Sequence, residues 1–198
     1  MSAESPSNEP TPSDWDLMHR VAEEDEDALR LLVQRHQGHL VNFFARSNVE
    51  SHAEDLVQET FIRLYRCRDR YQPTAKFTTF LHTLARNVLI DYVRKRGRWQ
   101  RLLGAWAELA PERDDRSSGT AGRRMDADRA LATLSEEMRT VVVLVFYQGL
   151  AYQDAAEVLG IPVGTVKSRM FHALQQLRTF FDSSSGGKTP WPPARNAN

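Results

Sequence analysis

Thr165, Lys167, Ser168, Arg169, Phe171 and His172 fall on one side of a short segment near the C-terminus. Their hydroxyl, ammonium, guanidinium and imidazole groups can donate to phosphates or to acceptors on base edges, the chemistry of a helix laid in a DNA major groove. A second set lies upstream. Phe77, Phe80, Leu81, Leu84, Val88 and Tyr92 alternate with Thr78, Thr79, His82, Arg86 and Asn87 and run into Arg94-Lys95-Arg96-Gly97-Arg98. Aromatics interleaved with cations can stack unpaired bases and neutralise their backbone, and the Asn87 amide can both donate to and accept from a base edge. Most of these aromatics are expected in a core, as in any amphipathic helix, but the basic run after Asp91 is too one-sided for a balanced solvated face. A third set, Asp55, Gln58, Glu59, Ile62 and Arg63, points away from the apolar stripe of its own helix. An acidic face with one exposed aliphatic suits a protein partner that presents a basic helix. His52, Asp55 and Glu59 also have helical spacing for a metal-dependent enzyme, a reading ranked last because such trios recur by chance on helix surfaces.

The elements that must position these groups follow from periodicity. Gln153 to Leu159 predicts a short helix with Ala155 turned inward. It stops at Gly160, which can take the left-handed conformation, after which Ile161 plugs the corner and Pro162 opens the next helix. In that next helix Val163, Val166, Met170, Leu174 and Leu177 form the inward stripe, so Gly149 to Arg169 reads as a helix-turn-helix. Further helices are expected over Asp16–Ala22, Asp27–Arg46, Ser51–Arg68, Thr78–Arg96, Ala127–Leu134, Glu136–Gln148 and, as the second helix of the motif, Val163–Phe181. Ser51 followed by Glu54 predicts a capping box, and Leu56, Val57, Phe61, Leu64 and Tyr65 the core stripe beyond it. Val141 to Phe146 is β-branched enough for a strand, but Ser135-Glu136-Glu137 is a helix start just upstream, and no other strand exists to pair with it.

From Leu103 to Met125 apolar periodicity gives way to turn formers and charges such as Glu108, Glu112, Asp114 and Asp115. Leu102, Leu103, Trp106 and Leu109 add a short amphipathic turn before it. The fold is therefore expected to be all-α, two small helical domains joined by a flexible linker, the C-terminal one containing the helix-turn-helix. The expected bounds are a disordered tail over 1–14, a domain over 15–103, a linker over 104–125, a domain over 126–181 and a second disordered tail over 182–198, in which Trp191 stands alone.

Composition narrows the function classes. The 198 residues carry 26 basic and 26 acidic side chains, a formal net charge of zero, so the chain is no simple polycation. Neutrality is an average over blocks: between Arg86 and Arg101 the basic residues Arg86, Arg94, Lys95, Arg96, Arg98 and Arg101 face the single acid Asp91. One cysteine, Cys67, excludes an internal disulfide and a Cys-x-x-Cys site. No apolar stretch approaches a membrane span and the N-terminus has no signal-peptide pattern, so a cytoplasmic location without membrane insertion is expected. No nucleophile constellation, metal cluster or phosphate loop stands out, and neither enzymatic activity nor a cofactor is expected.

Asp55-Leu56-Val57-Gln58-Glu59-Thr60-Phe61, then Phe77 to Arg96, then Leu134-Ser135-Glu136-Glu137 leading into Gly164-Thr165-Val166-Lys167-Ser168-Arg169, resembles the extracytoplasmic-function group of bacterial sigma-70 factors over about residues 15 to 180. The motifs occur in that family's order. The resemblance implies a promoter-specificity subunit of RNA polymerase. Asp55, Gln58, Glu59, Ile62 and Arg63 would dock on the clamp helices of the largest subunit of the core enzyme. Phe77, Thr79, Phe80, Arg86 and Asn87 would open the −10 element and capture a flipped base, with Arg94, Lys95, Arg96 and Arg98 on the adjacent backbone. Thr165, Lys167, Ser168, Arg169, Phe171 and His172 would read the −35 element. An anti-sigma factor is a partner that this group often has, though no residue here identifies one. Two departures stand out: Phe80 replaces the family's usual Trp, and His172 replaces a frequent basic residue. From Arg101 to Asp126 the chain can stretch to roughly 80 Å at about 3.3 Å per residue, enough for promoter elements on the order of 50 Å apart. The rival reading is a helix-turn-helix regulator that acts without polymerase.

Overall fold

The computed structural model describes residues 12–72, 74–104 and 121–184. The expected linker core with Trp106 and Leu109, most of both expected tails, and Trp191 lie outside the described residues.

The first helix, α1 (Asp14–Ala22), starts two residues earlier than expected because Ser13 and Asp16 form a reciprocal capping box. Ser13 Oγ accepts from the Asp16 amide at 3.2 Å, and the Asp16 carboxylate accepts from the Ser13 amide at 3.1 Å. The Ser13 hydroxyl also donates to the same carboxylate at 2.6 Å, and this bond first, with that from the Ser13 amide second, holds the Asp16 carboxyl below the usual carboxylate range. Asp25 opens α2 (Glu26–Phe44) by accepting from the Asp27 and Ala28 amides at 2.9 and 3.0 Å. The helix then widens into a π-turn over Ala45–Val49, in which Asn48 takes a left-handed φ of 63°.

That turn changes the start of α3 (Ala53–Arg66). Ser51 does not cap it: Glu50–His52 is a single 3-10 turn, His52 precedes the helix without a side-chain cap, and Ser51 Oγ bonds His52 Nδ1 at 2.9 Å. The capping box expected at Ser51 and Glu54 is thus absent, because the kink at Asn48 has already set the chain direction. Next comes α4 (Phe77–Gly104), eight residues longer at its C-terminal end than its periodicity predicted.

After the undescribed segment come α5 (Ala121–Thr133), which starts six residues before the expected Ala127 and so takes 121–125 out of the expected linker, and α6 (Glu136–Val142), capped by Ser135, whose oxygen accepts from the Met138 amide at 3.3 Å. The β-branched run is helical, as expected, but relaxes into a π-turn over Val143–Tyr147 rather than continuing as α-helix to Gln148. Then follow α7 (Tyr152–Leu159) and α8 (Val163–Ser184). No strand occurs among the described residues.

Packing sorts these helices into two sets. Helices α1 to α4 pack in sequence, each on the next, around Leu17, Met18, Leu32, Leu40, Phe43, Phe44 and Leu64, all essentially inaccessible. Each such side chain contributes about 1.5–3 kcal/mol of transfer free energy. In the second set α5, α6 and α7 all pack on α8 around Val141, Val143, Leu144, Val166 and Ala173. Arg139 lies buried there and donates to the carbonyls of Leu131, Ala132 and Leu134 at 2.9, 3.3 and 3.1 Å, closing the C-terminus of α5.

The two sets touch. Helix α4 packs on α7, and the π-turn after α6 packs on α2. Arg46 of the first set pairs with Asp128 at 2.9 Å and lies 3.8 Å above the Tyr147 ring, while Lys76 pairs with Asp154 at 2.9 Å.

Candidate nucleic-acid interface

The helix-turn-helix forms as its residues dictate. Gly160 has φ 64°, its amide reaches the Glu157 carbonyl at 3.1 Å, and the Ile161 amide reaches the Ala156 carbonyl at 3.1 Å. This Schellman arrangement satisfies the last carbonyls of α7 and turns the chain sharply into α8. Val166, Met170, Ala173 and Leu177 face inward. Leu174, expected on that stripe, is 43% exposed because Ala173 takes the inward position beside it.

The outward face carries Lys167, Ser168, Phe171 and His172, all exposed, with Thr165 half-buried. Phe171 is 58% exposed and meets the His172 ring edge-on at 5.6 Å. Ser168 Oγ donates to the Thr165 carbonyl at 3.0 Å. Arg169 is engaged with Glu137 of α6 at 3.2 Å. Arg169 is half-buried but Glu137 is 70% exposed, and an ion pair open to solvent on one side is worth about 1 kcal/mol, so a phosphate can take the guanidinium at small cost.

Helix α4 distributes its candidate residues over several faces. Phe80, Asn87, Asp91, Arg94 and Arg98 recur at spacings of seven, four, three and four, which places them on one stripe of a helix with 3.6 residues per turn. Asn87, Asp91, Arg94 and Arg98 are exposed, and Lys95 flanks them, also exposed. Phe80 is half-buried and packs on Tyr71 at 4.9 Å between centroids. Phe77 and Thr79 do not reach this surface: they are buried, and Phe77 sits against His36 at 5.1 Å. Arg86 is half-buried and off the stripe. Arg96 falls on the opposite side, where with Tyr92, Val93, Glu136 and Arg139 it lines a groove between α4 and α6. The stripe that remains is an aromatic, an amide and a row of cations, apart from its central acid.

On α3 the expected docking residues do share a face. Asp55 and Gln58 are exposed, Ile62 is 45% exposed, and Glu59 and Arg63 are half-buried. Arg63 bonds Glu59 through Nε at 2.8 Å and Asp91 of α4 through Nη1 at 2.7 Å. The carboxylates, Glu59 first and Asp91 second, push its guanidinium pKa still higher. Tyr65, expected in the core, is 37% exposed, with the Arg68 guanidinium 4.2 Å above its ring. It extends the row Gln58, Ile62, Tyr65 at helical spacing, a signal visible in the sequence but outweighed by the apolar stripe next to it. Among the described residues no three His, Cys, Asp or Glu side chains are grouped to hold a metal ion, His52, Asp55 and Glu59 included. Nor is any described helix long and apolar enough to cross a membrane.

An all-helical DNA-binding protein is the class that this fold and its helix-turn-helix define. Residues 32–98 match the family model of Sigma-70 region 2, and residues 124–177 match that of Sigma-70, region 4. The chain is 31% identical over 179 residues to the ECF RNA polymerase sigma-E factor of Haemophilus influenzae, covering 83% of this chain and 93% of that protein. It is 36% identical over 165 residues to the ECF RNA polymerase sigma factor SigE of Mycolicibacterium smegmatis, covering 78% of this chain but only 62% of that relative's length. Among solved structures it is similar to CnrH in complex with the cytosolic domain of CnrY, with TM-score 0.66 and 26% identity over 88% of this chain and all of that one. It is similar also to RpoE of Bartonella quintana in complex with the anti-sigma factor NepR, with TM-score 0.67 and 26% identity over 77% of this chain and 96% of that one. The chain belongs to the ECF sigma factors of RNA polymerase.

Proposed function

We propose that this chain binds core RNA polymerase and directs promoter-specific initiation, reading the −35 duplex with α8 and capturing melted −10 bases with α4. Asp55, Gln58, Glu59 and Ile62, with Tyr65 beside them, dock on the clamp helices. Phe80 and Asn87 receive an unstacked base, and Arg94, Lys95 and Arg98 hold the adjoining backbone. Thr165, Lys167, Ser168, Arg169, Phe171 and His172 contact the −35 element. Unstacking costs a few kcal/mol per base, which stacking and phosphate contacts partly offset. The unit over 15–103 serves polymerase and the −10 element, the unit over 126–181 serves the −35 element, and the segment between α4 and α5, shorter than the expected 104–125, tethers them. The protein works in the cytoplasm as a non-enzymatic subunit, and an anti-sigma factor of the kind bound to the Bartonella quintana relative restrains it.

The observation that carries this reading is the α4 stripe of aromatic, amide and cations, in a chain that also holds a separate helix-turn-helix. A lone helix-turn-helix regulator has no use for it. Co-purification with core polymerase and transcription in vitro from a −10/−35 promoter test the proposal, and failure of both refutes it. A regulator acting alone would be indifferent to charge reversal at Asp55 and Glu59, whereas a sigma factor loses core binding.

A further inference from the structure

Asp91 is out of place on the DNA stripe of α4. It stands four residues after Asn87, three before Arg94 and four before Lys95, the one acid between Arg86 and Arg101. A bare carboxylate there has two costs. It repels a phosphate laid along the stripe, and it recruits Lys95 or Arg94 into within-helix ion pairs, the acid-before-base order at i,i+4 being the favoured one. Neither pair forms. Asp91 bonds instead to Arg63, which reaches across from α3 with Nη1 at 2.7 Å, and the carboxylate remains 53% exposed on the side facing solvent.

We propose that Arg63 is a positioning residue for promoter DNA rather than a polymerase contact: by holding Asp91 it neutralises the one acid on the −10 stripe and leaves Arg94 and Lys95 free for the backbone. This rests on the reading of α4 given above. The geometry favours shielding over docking because the guanidinium is committed on two sides, Nε to Glu59 at 2.8 Å and Nη1 to Asp91, and its side chain is 31% exposed. Neighbouring carboxylates keep it firmly charged. Glu59 orients the arginine from one helical turn away, so one residue of the docking face also sets the charge of the DNA face.

The test uses the full chain with core polymerase and compares Arg63→Gln, Asp91→Asn, the double variant and Glu59→Gln. Core affinity is read by competition, and −10 opening by permanganate reactivity of unpaired thymines. Arg63→Gln should keep core affinity within about twofold while lowering −10 opening roughly tenfold, the size of one like-charge interaction at a partly exposed site. Asp91→Asn alone should open at least as well as the native chain, and the double variant should recover to within about twofold. Three results overturn the proposal: core affinity falling with Arg63→Gln as far as with Glu59→Gln; no recovery in the double variant; or Asp91→Asn losing opening as Arg63→Gln does, which would make the pair a structural staple. Should Arg63→Gln fail to fold, Asp91→Asn and the double variant still decide between shielding and stapling. A native chain that neither binds core nor opens the promoter would instead remove the functional reading beneath.

Discussion

Arg46 joins the two halves of the molecule, and its removal should shift them apart. Its guanidinium pairs with Asp128 at 2.9 Å, stacks 3.8 Å over the Tyr147 ring, and receives its orientation from Asn42, which accepts from Nε at 3.0 Å. Helix α4 packs on α7 and α7 on α8, so at about 8–10 Å between packed axes the axes of α4 and α8 approach within roughly 20 Å of each other. On the proposed function, promoter elements on the order of 50 Å apart favour a more open arrangement than this one. The proposed function therefore expects the halves to separate, and the contacts of Arg46 oppose this. Asp128 is 50% exposed, so its ion pair is worth at most about 1 kcal/mol, and the stacked cation adds about 1 kcal/mol. Arg46→Ala should therefore shift the closed-to-open ratio by about 2 kcal/mol, roughly thirtyfold. Small-angle scattering of the free protein should show a larger radius of gyration, and affinity for a single-stranded −10 oligonucleotide should rise. Asn42→Ala, which leaves both cross-contacts in place, should do neither to the same extent. Unchanged scattering and oligonucleotide affinity in Arg46→Ala, with only a lower melting temperature, would refute the argument and confine Arg46 to supporting its own half.

Three further outcomes follow from buried and strained positions. Burial pushes the His82 imidazole below the ordinary histidine value, against the opposing pull of the Thr78 carbonyl, which accepts from Nδ1 at 2.8 Å, and of the neighbouring Gln148. A lowered folded value means that this contribution is complete above about pH 6.5 and is lost as pH falls through the folded value, so the native melting temperature should drop on acidification and the drop should shrink in His82→Asn. Gly160→Ala places a side chain at φ 64° with open space around its Cβ, so its cost of about 1–2 kcal/mol should be pure backbone strain, read by chemical unfolding. Arg139→Met removes the side-chain donor to the carbonyls of Leu131, Ala132 and Leu134, of which Leu131 keeps the Leu134 amide at 3.1 Å, and should cost about 1–3 kcal/mol, with faster amide exchange at the end of α5.

Helix existence was legible because apolar periodicity is local: the stripes on α3 and α8, the glycine at 160 and the serine at 135 each act through neighbours a few residues away. Where expectation failed, a nearby geometric event intervened. The left-handed Asn48 moved the start of α3 past Ser51, and Ala173 displaced Leu174 from the core of α8. The candidate site was legible as residue types but not as partners. That Arg94, Lys95 and Arg98 are exposed followed from composition; that Phe77 and Thr79 are buried did not, since an aromatic and cationic helix has no mark in its sequence for which side meets a neighbour.

What the sequence by itself determined is the inventory of helices, the helix-turn-helix and the charge blocks, all set by interactions within about one helical turn. Only the tertiary structure decided that Arg63 holds Asp91, that Glu137 holds Arg169 and that Arg46 spans to Asp128 and Tyr147. Those pairs join residues 28, 32 and 82 positions apart in the chain, with Tyr147 still farther from Arg46. Side chains that distant meet only once packed helices have fixed their faces, and periodicity within one helix carries no information about which neighbour it will face.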